Sequence, residues 1–156
     1  MIEITIPGYK NFRFEHLVLD FNGTLAFDGY LLPGVKEQLQ VLSEHLSIHV
    51  VTADTFGIAG TELEGIKCKL TVLSEVDQAN GKFDYLKQIG VGSSVCIGNG
   101  RNDQLILKEA ALGIVVILDE AAARETLLVA DVVCPTIISA LELLSNPLRL
   151  VATLRS

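Results

Sequence analysis

A chain of 156 residues with 19 acidic and 12 basic side chains, net charge −7, is long enough for one hydrophobic core and carries the wrong sign for nucleic acid or an anionic membrane as its main partner. Hydrophobic residues make up 49% and the mean hydropathy is +0.44, which points to a sheet buried on both faces, yet no apolar run approaches the ~20 residues of a membrane span. The opening MIEITIPGYK lacks the basic-then-apolar pattern of a signal peptide, so a cytoplasmic protein is expected.

In chain order, short β-branched runs alternate with longer amphipathic segments. IEITI predicts a strand over 2–6, and residues 1–15 read as an extra edge strand followed by a loop through Gly8 to Asn11. HLVLD predicts a strand over 16–20 that ends on Asp20 and enters a turn with Asn22, Gly23 and Thr24. FDGYL, with Asp28, fits a hairpin turn flanked by aromatics. A helix is predicted over 33–46, where Val35, Leu39, Leu42 and Leu46 fall near one face. Strands follow at 47–52, 68–73, 93–97, 113–117 and 131–134, and helices at 55–65, 77–89, 101–110, 119–128, 136–145 and 146–155. Asp77 is placed to cap the helix that carries Lys82 and Tyr85, and Gly90 to end it.

This alternation predicts an α/β fold, a doubly wound parallel sheet occupying 1–156 as one domain. Only twelve residues separate Asp20 from Pro33, which leaves no room for an inserted cap domain. Cys68, Cys96 and Cys134 each sit in an apolar run and read as buried reduced thiols. His16, His45 and His49 show no metal-ligand spacing.

In an open parallel sheet, chemistry gathers at the carboxyl ends of the strands. Asp20 and Thr52 end strands there, Gly98-Asn99-Gly100 and Asp103 follow another, and Lys82 lies near the start of the preceding helix. Small residues in a turn let backbone N–H groups face an anion, which Gly23 and Thr24 are placed to do. Thr52 and the amides after it, from Ala53 onward, suit further phosphate oxygens. Lys82 would neutralise charge on phosphate and on Asp20, while Asp20, Asn99 and Asp103 offer oxygens to Mg²⁺. Asp20 would then be the nucleophile of an aspartyl phosphate.

These motifs resemble the haloacid dehalogenase-like (HAD) superfamily from residue 16 to about 134: Asp20-Phe-Asn22-Gly23-Thr24, then Thr52, then Lys82, then Gly98-Asn99-Gly-Arg-Asn-Asp103, in order. DFNGTLAFDG, VVTADT and GNGRNDQLIL look most like the phosphorylation domain of P-type ATPases and the small soluble phosphatases similar to it. The resemblance implies a Rossmann-like core without a cap. It implies Asp20 as nucleophile and metal ligand, the backbone carbonyl of Asn22 as metal ligand, Thr52 on the phosphoryl group, Lys82 on the phosphoaspartate, and Asp103 supporting Mg²⁺ directly or through water.

Two residues depart from the pattern. Asn22 stands where typical phosphatases of this superfamily carry an acid that protonates the leaving group and then activates water, and an amide does neither; P-type ATPases, to which the motifs are most similar, also lack an acid there, having Thr, and form a phosphoaspartate that persists. General acid–base help contributes ~10²–10⁴-fold, so a slow Mg²⁺-dependent phosphohydrolase or phosphotransferase is expected. Asn99 stands where a metal-binding Asp is usual, and Asp54 is placed to restore the charge if its side chain turns inward. The alternative is a catalytically impaired module that binds metal, phosphate or a protein partner. A receiver-like signalling domain suits the DFNGT and GNGRND motifs less well. Arg101 shares the last loop and is a candidate substrate contact. Without a cap, either a large substrate such as a phosphoprotein covers the open face or a neighbouring subunit closes it over a phosphorylated small molecule, and a homo-oligomer is expected, with LELLSNPLRLVATL as a candidate contact.

Overall fold

The computed structural model describes all residues 1–156. Six parallel strands form the main sheet: β3 (His16–Leu19), β6 (Ser47–Thr52), β7 (Lys69–Val72), β8 (Ser94–Gly98), β9 (Leu112–Val116) and β10 (Val132–Cys134). Their order is β10-β9-β8-β3-β6-β7. The chain leaves β3 toward β6 and β7, then returns to β8 on the other side and continues outward to β9 and β10. The order reverses at β3/β8, the position where the carboxyl ends of an open sheet leave a crevice. Leu19 pairs with Val50 and Ile97, so the residues after Leu19, Val51 and Ile97 emerge at one rim.

Alternate strand residues face opposite sides of the sheet. Leu17, Leu19, Val50, Val95, Ile97 and Ile114 join the larger core with α1 (Val35–Leu42), α2 (Ala59–Glu62), α6 (Ile137–Ser145) and α7 (Pro147–Leu154). Val18, Val51, Cys96 and Val115 join a smaller core with α3 (Gln78–Ile89) and α4 (Gln104–Glu109), and Leu127 of α5 (Arg124–Val129) packs on it. No single helix is long and apolar enough to cross a membrane.

The first fifteen residues differ from expectation. They form an antiparallel pair, β1 (Ile2–Thr5) with β2 (Asn11–Phe14), outside the main sheet. Ile4, Phe12 and Phe14 are buried on the larger core, and Phe12 and Phe14 stack at 5.0 Å, so this hairpin closes one flank instead of extending an edge. The expected hairpin at FDGYL is present as β4 (Ala26–Phe27) and β5 (Tyr30–Leu31). It is pinned on one side by the Leu31 N–H donating to Glu62 at 2.9 Å and on the other by the Asp28 N–H donating to Glu120 at 3.3 Å. It is the only insertion between Asp20 and α1, and the fold is cap-less.

The helix expected over 33–46 is confined to α1, and two others are shortened for local reasons. The one expected over 55–65 is confined to α2. Asp54 and Gly57 adopt positive φ, 53° and 72°, and close a turn in which the Gly57 N–H donates to the Asp54 carbonyl. The one expected over 119–128 begins at Arg124, because the preceding residues hold Asn99: the Ala123 N–H donates to the Asn99 carbonyl at 2.8 Å. Asp77 occupies the N-cap of α3 at φ 56°, but its carboxylate accepts from the Asn80 side chain and not from the helix backbone. Gly90 ends α3 at φ 125°, as expected. Cys96 and Cys134 are buried free thiols, and Cys68 is half-buried.

Candidate active site

Asp20 follows the last residue of the central strand and is 7% exposed. Lys82, on the first turns of α3, reaches under the rim and is 1% exposed. Its ammonium donates to Asp20 Oδ1 and to Asp103 Oδ1, each at 2.7 Å. Asp103 Oδ2 accepts from the Asn99 and Gly100 amides, both at 3.0 Å. A Cβ at Gly98 would lie 2.5 Å from Asp103 Oδ2, so glycine at this strand end is what lets Asp103 sit under the loop. Two carboxylates thus share one buried ammonium.

The charges in this triad are unequal. Burial, then the charge of Asp103, push the Asp20 carboxyl up to about 6, with Lys82 pulling the other way. Burial pulls the Lys82 ammonium down, but Asp103 and Asp20 outweigh it and hold it above its ordinary pKa. Burial, with Asp103 adding to it, also pushes the Cys96 thiol up.

Above the triad lies a cleft of 160 Å³ lined by Asp20, Asn22, Thr52, Ala53, Thr55, Gln78, Asn99, Gly100 and Asn102. Of the residues expected from sequence, Asp20, Asn22, Thr52, Ala53 and Asn99 meet there. Lys82 lies beneath, bonded to Asp20. Three expectations are corrected. The Gly23 and Thr24 amides do not face an anion: Gly23 donates to the Ala26 carbonyl at 2.9 Å and Thr24 to the Phe21 carbonyl at 3.2 Å, closing the turn. Thr24 contributes its hydroxyl instead, placed between Asp20 Oδ2 at 3.4 Å and Asn99 Oδ1 at 3.2 Å. Asp103 is fully buried with both oxygens hydrogen-bonded and does not line the cleft, so it acts as the anchor of Lys82 and of the loop. Asp54 does not turn inward, because its Oδ1 accepts from the Ala59 amide at 3.0 Å and starts α2.

Asn99 is held on both sides, by Thr24 and by its Nδ2 donating to the Ala121 carbonyl at 2.9 Å. Gly23, at φ 78°, leaves the space its amide occupies. Thr52 Oγ1 accepts from the Asp54 amide at 2.9 Å. Sequence reasoning missed Gln78, Thr55 and Asn102 as lining residues. Asn102 Nδ2 donates to Gln78 Oε1 at 2.5 Å, which closes one side of the cleft. Nothing marks that pair in sequence, since the residues lie on separate elements 24 positions apart. Arg101 is exposed and lines a neighbouring groove with Glu75 and Asp77.

The donors facing the cleft suit Mg²⁺ by type. Asp20 and Asn99 present hard oxygens, and Mg²⁺ commonly binds through one or two carboxylates together with substrate phosphate and water. They do not form a closed protein cage, since no group of three His, Cys, Asp or Glu side chains converges anywhere in the chain.

No family model matches the chain. It is 46% identical over 87 residues to the uncharacterized protein MJ0073 of Methanocaldococcus jannaschii, a match spanning 56% of this chain and 84% of that protein. Among solved structures it is similar to the 3-deoxy-D-manno-octulosonate 8-phosphate phosphatase of Moraxella catarrhalis in complex with magnesium, phosphate and KDO, with TM-score 0.67 and 17% identity over 91% of this chain and 94% of that one. The cobalt-bound deoxy-D-mannose-octulosonate 8-phosphate phosphatase of Haemophilus influenzae gives TM-score 0.71 and 14% identity over 92% and 94%. The chain belongs to the family of MJ0073 and is built on the cap-less α/β fold of HAD-superfamily hydrolases.

Proposed function

We propose that the protein is a phosphatase-type hydrolase or phosphotransferase, dependent on Mg²⁺, that carries the phosphoryl group on Asp20. The observation that carries this reading is the Lys82 bridge, which holds a buried carboxylate at the floor of a polar cleft at the sheet's reversal point. The fold shared with magnesium-, phosphate- and cobalt-bound phosphatases supports it.

In this reading Asp20 Oδ2, the oxygen not bonded to Lys82, attacks phosphorus. Lys82 balances the charge that accumulates on Asp20 and the incoming phosphoryl oxygens. Thr52 and Ala53 border the phosphoryl group, and Thr24 fixes the Asp20 and Asn99 side chains. Bound through Asp20, the Asn22 carbonyl and Asn99, Mg²⁺ would offset phosphate charge. Asn22 moves no proton, so departure of an alkoxide is slow, and so is hydrolysis of the phosphoaspartate, which also persists in the P-type ATPases the motifs resemble. The substrate is a phosphorylated small molecule or an exposed phosphorylated group on a protein.

Incubation with Mg²⁺ and acetyl phosphate tests this. Mass spectrometry should find one phosphoryl group on Asp20, absent in Asp20→Asn. Absence of labelling with retained calorimetric binding of Mg²⁺ and phosphate would instead mark a non-catalytic binding module. That second reading draws on the cleft having a single carboxylate.

A further inference from the structure

The chain holds three Asn-Gly pairs, Asn22-Gly23, Asn80-Gly81 and Asn99-Gly100. Asparagine before glycine is prone to cyclise, because glycine has no side chain to keep its amide nitrogen away from the neighbouring side-chain carbon. The fold treats the three pairs differently. Asn80 Nδ2 donates to both carboxylate oxygens of Asp77, at 2.9 and 3.0 Å, within helix α3. Asn99 is tied at both ends, its Oδ1 accepting from Thr24 and its Nδ2 donating to the Ala121 carbonyl. Asn22 has neither tie. Its Oδ1 is buried without a partner, and its Nδ2 makes no hydrogen bond and is not shut off from solvent.

The backbone does not separate the pairs. Gly23 donates to the Ala26 carbonyl at 2.9 Å, Gly81 to the Asp77 carbonyl at 3.0 Å and Gly100 to Asp103 Oδ2 at 3.0 Å. The difference lies in the side chain, which must bring its Cγ onto the glycine nitrogen. At Asn80 and Asn99 that movement breaks existing hydrogen bonds. At Asn22 it breaks none, and the unpaired buried acceptor makes its starting state the least favourable of the three. Gly81 is also held inside a helix, whereas Gly23 sits in a turn at φ 78°. Ammonia must leave into water, and water reaches Asn22 Nδ2.

We propose that Asn22 is a deamidation site and, resting on the reading of Asp20 as phosphoryl acceptor, that its conversion to Asp turns a site that holds its phosphoryl group into one that releases it. The Gly23 nitrogen bonds to Asn22 Cγ while its proton passes through water to the amide nitrogen. The Cγ–Nδ2 bond then breaks, and its electron pair leaves with ammonia. Water adds to the resulting cyclic imide and opens it at either carbonyl, which gives Asp or isoaspartate at this position. The Asp product places a second carboxyl group on the wall of a cleft whose one titratable lining residue is Asp20. A carboxylate accepts a proton where an amide does not, so it takes the proton of the water that attacks the phosphoaspartate. The isoaspartate product routes the main chain through the side-chain carbon and disrupts the turn, so it gains nothing.

The test holds the folded protein at mildly alkaline pH and maps the three pairs by mass spectrometry. Asn22 should convert about tenfold faster than Asn80 or Asn99, the scale of one hydrogen bond, and in urea the three rates should converge. Fresh and converted protein are then labelled with acetyl phosphate and Mg²⁺, and decay of the phosphoaspartate is followed after the donor is removed. The fraction carrying Asp, separated from the isoaspartate form and matched against Asn22→Asp, should lose its label about 100-fold faster than fresh protein, the lower end of general acid–base help. Conversion of Asn80 or Asn99 as fast as Asn22 overturns the inference, and so does a difference in rates that persists in urea. Unchanged decay in the Asp form overturns it as well and leaves the proposed function standing. Failure of acetyl phosphate to label Asp20 in fresh protein removes the proposed function itself, and the mapping alone then decides the deamidation.

Discussion

Helix α3 links two buried polar networks at opposite ends of the sheet, and they are built on different principles. Near the carboxyl rim, Lys82 bonds Asp20 and Asp103, both at 2.7 Å. One helical turn further along, Tyr85 bonds His49 Nδ1 at 2.8 Å, and His49 Nε2 lies 3.2 Å from His16 Nδ1. The lower network contains no carboxylate and closes on itself: burial, then His16 and Lys69, push His49 down to about 4. The upper network holds two carboxylates against one ammonium and leaves a negative charge facing a cleft. A closed network fixes a helix on a sheet. One with surplus charge is completed by something that arrives from outside.

Removing the shared cation tests that contrast most severely. Lys82→Met keeps much of the side-chain volume but strands two carboxylates beneath the loop. Breaking a buried ion network in this way costs ~3–5 kcal/mol. Urea denaturation at pH 7 should show a loss on that scale, together with complete loss of Asp20 labelling. A loss below ~1 kcal/mol, the value of an exposed pair, would mean that the upper network is not a structural unit.

The upper network was legible in the sequence for a physical reason. Asp20, Thr52 and Asn99 leave strands at one rim, and strand ends are set by apolar patterning that can be read directly. The strands of the main sheet were legible in the same way. Contacts made by backbone groups were not. The turn that uses the Gly23 and Thr24 amides internally, and the Asp54 and Ala121 positions at φ 53° and 63°, depend on dihedrals that composition does not encode. The separate β1–β2 hairpin was missed because Phe12 and Phe14 bury one alternate face of a segment whose register only the packed fold sets. The Gln78–Asn102 closure was hidden because it joins two elements that each look like ordinary helix starts.

The two networks also differ in how acid acts on them. Asp20 is raised from 3.8 to about 6 in the folded protein. The folded state binds more protons there than the unfolded chain, so its contribution is fully present below 3.8 and is lost as pH rises through 6. His49 is lowered from 6.5 to about 4, so its contribution is present above 6.5 and is lost as pH falls toward 4. The slopes oppose each other across the same range. Asp20→Asn should unmask the histidine, with stability rising between pH 4 and 6.5, and His49→Gln should unmask the carboxyl, with stability falling. Melting temperatures over that range decide it, and parallel slopes in the two variants would refute the assignment. Labelling of Asp20 by acetyl phosphate should rise with pH through about 6, as the carboxylate forms.

The smallest expected effect sharpens the comparison from the closed side. Tyr85→Phe removes one hydroxyl from a helix that is otherwise anchored by Leu86 and Lys82. The ring stays in the smaller core, and His49 Nδ1 loses its partner. A buried neutral hydrogen bond contributes ~1 kcal/mol, with a further fraction for the unpaired nitrogen, so urea denaturation should show a loss of ~1–2 kcal/mol. Because α3 also carries Lys82, the same variant asks whether the lower network positions the upper one. If the two are energetically separate, the rate of Asp20 labelling changes less than twofold while stability falls. A labelling rate that drops tenfold or more would show that His49 and Tyr85 set the place of Lys82, and that the histidine end of the sheet serves the charged one.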